Sequence, residues 1–144
     1  MEKQNTIKET QQELIKEQVR KVIISLHQYF EDWLGGKLIN TLANTAYLEN
    51  AFDKEFIMVL PTGVVQMRSE AVEGLKKAWG VLPGLKITIS DVQVLHDDAS
   101  SILAVYKETQ TIGNTKNVRT SSVVFNKVGD ELKWLFVQET MVIA

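Results

Sequence analysis

The chain has 144 residues, a formal net charge of −2, 44% hydrophobic residues and no cysteine. Those values fit one folded domain and exclude disulfides, thiolate catalysis and zinc–thiolate centres. No basic stripe runs through the sequence, which argues against nucleic acid as a partner.

Residues 1–12 hold no apolar core of the kind a signal peptide needs, and no apolar run is long enough to span a bilayer. A cytoplasmic protein without membrane partners is expected. Met1 to Leu34 reads as one long helix, or as a disordered tip leading into one. Val19, Val22, Ile23, Leu26, Phe30 and Trp33 recur at helical spacing and form one apolar stripe. Upstream, Ile7, Leu14 and Ile15 are sparse among charged and glutamine residues. Residues 1–18 are therefore expected to be a polar helical extension that pairs with a partner subunit or frays. Residues 19–144 are expected to be a single α+β domain. Gly35-Gly36 ends the first helix.

Lys37–Phe52 reads as a second helix with Ile39, Leu42, Ala43, Ala46 and Tyr47 on one side. Phe56–Leu60 reads as a buried strand, Pro61-Thr62-Gly63 as a turn and Val64–Met67 as the hairpin partner. Asp53-Lys54-Glu55, just before that strand, is a charged run expected in a solvated loop. Ser69 suits the N-cap of a third helix, whose buried side would be Val72, Leu75, Ala78 and Trp79, and Pro83-Gly84 breaks it. Leu85–Leu95 reads as a strand and residues 96–100 as a turn. Adjacent His96, Asp97 and Asp98 do not converge readily on one ion, so no metal and no cofactor is expected.

Ile102–Thr111, Val118–Lys127 and Leu132–Val142 read as three antiparallel strands joined through Ile112–Asn117 and Gly129-Asp130. With Gly129-Asp130 as a two-residue turn, Phe125 should face Trp134, Val123 Phe136, Ser121 Gln138 and Arg119 Thr140. With residues 113–116 as the other loop, Gln110 should face Arg119, Glu108 Ser121 and Tyr106 Val123. The shared face then has an apolar floor of Ala104, Tyr106, Val123, Phe125, Trp134 and Phe136. Its polar end would be Glu108, Gln110, Arg119, Ser121, Gln138 and Thr140. A face that shades from aromatic to polar suits a ligand cavity, and equally suits a cross-strand ion pair between Glu108 and Arg119. His27, Tyr29 and Trp33 lie on or beside the apolar stripe of the first helix, where core packing is the commoner use.

The run Tyr106-x-Glu108-x-Gln110, Arg119-x-Ser121-Ser122 and Trp134 with Gln138-Glu139-Thr140 resembles the SnoaL-like group of the nuclear transport factor two-like (ketosteroid isomerase-like) superfamily. Phe30-x-x-Trp33-x-x-Gly36, Phe56-x-x-x-x-Pro61-x-Gly63 and Pro83-Gly84 extend the likeness over nearly everything after Val19. The resemblance implies a cone: a strongly curved antiparallel sheet with about three helices on its concave side, a cavity within, and usually a homodimer. It also implies that Tyr29 and Trp33 line the cavity, and that a carboxylate near Asp53 can serve as a base. Relatives tend to carry histidines on the last strand, where this chain has Phe136 and Gln138. Gln138 cannot titrate, which weighs against proton-transfer chemistry.

The expected function is a pocket protein for a small apolar or aromatic ligand with a polar end. The expected pocket residues are Tyr29, Trp33, Tyr106, Glu108, Arg119, Ser121, Phe136, Gln138 and Thr140. The alternatives are an isomerase, cyclase or dehydratase with Glu108 as general base, and a dimeric interaction module. Val105, Val124, Leu135, Val137 and Met141 should lie on the outer sheet face, where two-fold pairing would form a homodimer.

Overall fold

The apolar stripe of the first helix is what the sheet curls around. In this computed structural model, residues 2–143 are described, with side chains from 5 to 142; Met1 and Ala144, at the two ends of the expected extension and domain, lie outside the described residues. Helix α1 (Glu2–Leu34) is exposed from Asn5 to Leu14 and then buries Val19, Ile23, Leu26, Tyr29 and Trp33. Gly36, at φ 74°, lets the chain turn away from the helix end. Two of the carbonyls freed there accept from the loop after α3: Gly80 N–H donates to Trp33 O (3.0 Å) and Leu82 N–H to Leu34 O (2.8 Å). A Cβ on Gly36 would lie 3.3 Å from Gly80 Cα, so the two backbones meet where side chains would separate them.

Helix α2 (Leu42–Ala51) starts later than the expected Lys37 because Thr41 caps it, accepting from Asn44 N–H at 3.3 Å. Its apolar residues are spread around the helix, and packing selects Thr45 and Leu48 for burial while Leu42 and Tyr47 stay exposed. Strand β1 (Phe52–Val59) begins four residues before the expected strand, so Asp53, Lys54 and Glu55 lie within it. Strand β2 (Val65–Met67) completes the hairpin. Helix α3 (Arg68–Lys77) is entered at Met67 rather than Ser69, with Met67 N–H donating to Glu70 Oε1 (3.2 Å).

The remaining strands are β3 (Lys86–Asp97), β4 (Ser101–Ile112), β5 (Thr115–Val128) and β6 (Glu131–Ile143). The sheet order is β2-β1-β6-β5-β4-β3. The expectation of a wholly antiparallel sheet needs one correction, since β1 and β6 run parallel. A parallel pair requires a long crossover, and everything from β2 to β5 supplies it. The sheet is strongly curved without closing, and edge strand β3 is bent by two irregularities, one at Asp91 with φ 54°. The three helices contribute to a single apolar core against its concave side. No helix among the described residues is long and apolar enough to cross a membrane.

Trp33 ties the helices together. It is fully buried, stacks on Tyr29 at 5.9 Å and donates from Nε1 to Leu75 O of α3 (2.7 Å). Trp33→Phe removes that hydrogen bond and part of the packing. It should cost about 1–3 kcal/mol in urea unfolding with the far-UV spectrum unchanged. An unmoved midpoint would show that this link carries no weight.

Candidate functional site

A cavity of about 280 Å³ opens between α1, α3, β1 and the concave side of β4–β6. Leu26, Phe30, Phe52, Phe56, Met58, Leu75, Trp134 and Val137 make most of its wall. His27, Glu108, Gln110, Arg119 and Glu139 line it as well, and Tyr106 lies beside them.

Strand register decides which side chains reach this space. Gly113-Asn114 is a tight turn between Ile112 and Thr115. Glu108 is therefore directly opposite Arg119 and Tyr106 opposite Ser121, two residues away from the expected pairing. A slip of two leaves every side chain on its face. On β6 the displacement is one residue. Phe125 pairs with Trp134 as expected, but Val124 pairs with Phe136, so Leu135 is an extra residue in a bulge. From there on the faces exchange: Val123 meets Val137 and Ser121 meets Glu139. Phe136, Gln138 and Thr140 are therefore not in the cavity, contrary to expectation, while Val137 and Glu139 line it.

His27 reaches the same space from α1. Its Nδ1 lies 2.7 Å from Ile23 O, and its Nε2 lies 3.0 Å from Glu108 Oε1. A carbonyl oxygen only accepts, so Nδ1 carries a proton. The second contact then requires a further proton between Nε2 and the carboxyl. With that proton on Nε2, the pair is imidazolium with carboxylate and its net charge is zero. Phe30, Tyr106 and Trp134 surround the imidazole with ring centroids 5.5, 5.4 and 6.0 Å away.

Glu108 is buried, and its second oxygen accepts from Gln110 Nε2 at 2.5 Å. Burial pushes its pKa up, but the His27 hydrogen bond and charge, the Gln110 amide and the Arg119 charge outweigh it, leaving the value below the ordinary 4.5. Its ionised form thus stabilises the fold above the ordinary glutamate range. That contribution is lost as pH falls through the depressed value. Arg119 donates from Nη1 to Glu139 Oε2 (2.5 Å) and from Nη2 to Asn117 Oδ1 (3.2 Å), while its buried Nε has no partner among the described residues. Glu139 moves the opposite way from Glu108: burial and the Glu108 charge raise its pKa above 4.5 against the pull of Arg119. Burial, followed by the charges of Glu108 and Glu139, also raises the Tyr106 phenol well above 10. Ser121 Oγ, fully buried opposite it, favours the ionised phenol although it makes no hydrogen bond of good geometry.

Of the residues expected in the pocket, Tyr106, Glu108 and Arg119 come together there. Ser121 is sealed behind them. Tyr29 and Trp33 belong to the helical core rather than the cavity; Tyr29 O–H donates to Asn44 O (3.0 Å), and burial ahead of the Tyr47 charge pushes its pKa up to about 12. Asp53 accepts from Asn126 Nδ2 (3.0 Å) and Glu55 N–H (3.0 Å) outside the cavity, which lowers its pKa. His96, expected in a turn, lies near the end of β3 and faces exposed Asp98 just beyond it (3.3 Å). Glu139 was not expected at the site. His27, beside the apolar stripe, reads from the sequence more readily as a structural histidine than as one facing a cavity, and its position four residues after Ile23 is the signal for it.

No family model matches the chain. "Probable sucrose-phosphatase 2" of Arabidopsis thaliana is 26% identical over 121 residues, covering 82% of this chain. This chain spans only 29% of the length of that relative. An NTF-2-like protein of unknown function from Pseudomonas aeruginosa is 29% identical, with a TM-score of 0.80 over 85% of this chain and 97% of that one. A "putative dehydratase from the NTF2-like family" of Streptomyces avermitilis is 15% identical, with a TM-score of 0.73 over 92% and 99% of the two chains. At that identity the second match speaks for the fold alone.

The pairing of His27 with Glu108 makes a sharp forecast. His27→Leu strands a buried carboxylate and should cost about 3–5 kcal/mol at neutral pH. The deficit should shrink on acidification, as the unpaired Glu108 takes up a proton. Adding Glu108→Gln should restore part of the loss. Chemical denaturation at neutral and acidic pH measures this, and a pH-independent deficit would contradict it.

Proposed function

We propose, for a chain that belongs to the NTF2-like superfamily, that the domain holds a small apolar or aromatic molecule with a polar end inside its cone. One observation supports this above the others. An apolar cavity of about 280 Å³ ends at two adjoining polar groups, buried His27 and Glu108 with Gln110, and the half-buried pair Arg119 and Glu139. Such convergence of few polar groups on an apolar wall is how ligand sites combine affinity with orientation. The volume lies near the small end of the range for ligand pockets, about 300–1,000 Å³.

Proton transfer is the second reading, favoured by the 3.0 Å contact of His27 with Glu108 at the cavity wall. There Glu108 is the base, His27 orients it, and Tyr106 or Arg119 faces the charge that develops on the substrate. A thermal-shift screen of steroids, aromatic polyketides and short aryl alcohols, ketones and acids tests the pocket itself. A molecule that binds only the folded state raises the melting temperature, by about 2.7 kcal/mol of added stability at a hundredfold excess over Kd. Incubating each hit with wild type and Glu108→Gln then separates binding from turnover. A screen without a hit counts against both readings.

The homodimer belongs to the same proposal, through the outer sheet face. The bulge in β6 revises that face: Val105, Val124 and Leu135 remain, Phe136 joins them, and Val137 and Met141 leave. Val105, Val124, Leu135 and Phe136 are only half-buried, and the helices pack on the opposite side. Analytical ultracentrifugation at micromolar concentration should give twice the 16.3 kDa chain mass. Val124→Lys should give a folded monomer, and a monomeric wild type would refute the assembly.

A further inference from the structure

We infer that the polar end of the cavity is built for an uncharged head group that donates a hydrogen bond, a hydroxyl or an amide, and that Glu139 sets this preference by masking Arg119. The inference rests on the pocket reading above and names the chemical class of its ligand.

Charge counting leads to it. Two acids and two bases line the polar end: Glu108, Glu139, His27 and Arg119. His27 and Glu108 sum to zero when hydrogen-bonded through Nε2, because Nδ1 is already committed to Ile23 O. Arg119 and Glu139 form the second compensated pair, with side chains only 17% and 10% exposed. Arg119 would otherwise be the natural anchor for a carboxylate or phosphate. Each of its terminal nitrogens instead donates to a protein oxygen, one to Glu139 and one to Asn117. A charged head group would enter an apolar cavity that has no free countercharge, and would lose its hydration for no new pairing.

What the site still offers is acceptors on Glu139 and Gln110 beside the N–H groups left on Arg119, which suits a head group that both donates and accepts. Glu139 spends one carboxyl oxygen on Arg119, and no described residue donates to the other. Gln110 gives one of its two amide hydrogens to Glu108, and its carbonyl oxygen has no donor among the described residues. An alcohol or amide N–H satisfies such acceptors without changing the charge of the site.

Three molecules of one shape test this: 3-phenylpropanol, 3-phenylpropanoate and 3-phenylpropylamine, titrated by calorimetry at pH 7 into the full chain. The alcohol should bind at least tenfold tighter than either ion. Equal or tighter binding of the carboxylate or the amine overturns the inference while leaving the pocket reading intact. No binding by any of the three overturns both. Glu139→Gln should then raise the affinity for 3-phenylpropanoate at least tenfold over wild type. The double variant Arg119→Gln with Glu139→Gln leaves no unpaired buried charge, so it serves even where the single variant fails to fold. In it the carboxylate should bind as weakly as to wild type. A carboxylate that gains as much there as in Glu139→Gln, or gains in neither, would remove Arg119 masking as the cause.

Discussion

The contact between His27 and Glu108 constrains the rest of the site. A carboxyl group this deeply buried is tolerated only with partners; β4 itself supplies the Gln110 amide, and the titratable partner comes from another element. Helix α1 brings it. Ile23 O fixes Nδ1 from the preceding turn of the helix, which leaves Nε2 aimed at Glu108. The helix is in turn held in place by Trp33 and by the backbone hydrogen bonds from Gly80 and Leu82 at its C-terminus. A change at that remote end would therefore reach the cavity as a displaced imidazole.

Arg119 and Glu139 extend the same logic across the sheet. Four charged or chargeable side chains from α1, β4, β5 and β6 meet around one space, in two pairs that each cancel. Cancellation lets so polar a group persist against Phe30, Phe52, Phe56 and Trp134 without unfolding the cone. It also leaves the two carboxyls unequal. Glu108 has two hydrogen-bond donors and is held ionised, whereas Glu139 has one and feels Glu108 as a like charge.

Much of this was legible in the residues. Hydrophobic spacing located α1 and its buried stripe, glycine and proline located most turns, and period-two alternation put Tyr106, Glu108, Gln110 and Arg119 on one face. An error of two in the β4–β5 register did no harm, because a strand repeats every two residues. The bulge at Leu135 was different. No glycine or proline marks it, and one extra residue reversed the facing of everything after it, exchanging Phe136, Gln138 and Thr140 for Val137 and Glu139. The histidine at the cavity comes from α1 and not from the last strand. That substitution of one element for another is a fact of three-dimensional packing, with no local signature beyond a histidine on an apolar stripe. The parallel β1–β6 pairing was hidden for a similar reason, since the two strands are separated by most of the chain.

A polar cluster held in two compensated pairs ends the apolar cavity. Carbon-13 NMR of the side-chain carboxyls, followed through a pH titration, addresses it most directly. The account predicts that Glu108 titrates below the ordinary glutamate value of 4.5 and Glu139 above it. Two carboxyls titrating together at the ordinary value would mean that the cluster is open to water and unpaired, and the account would fall.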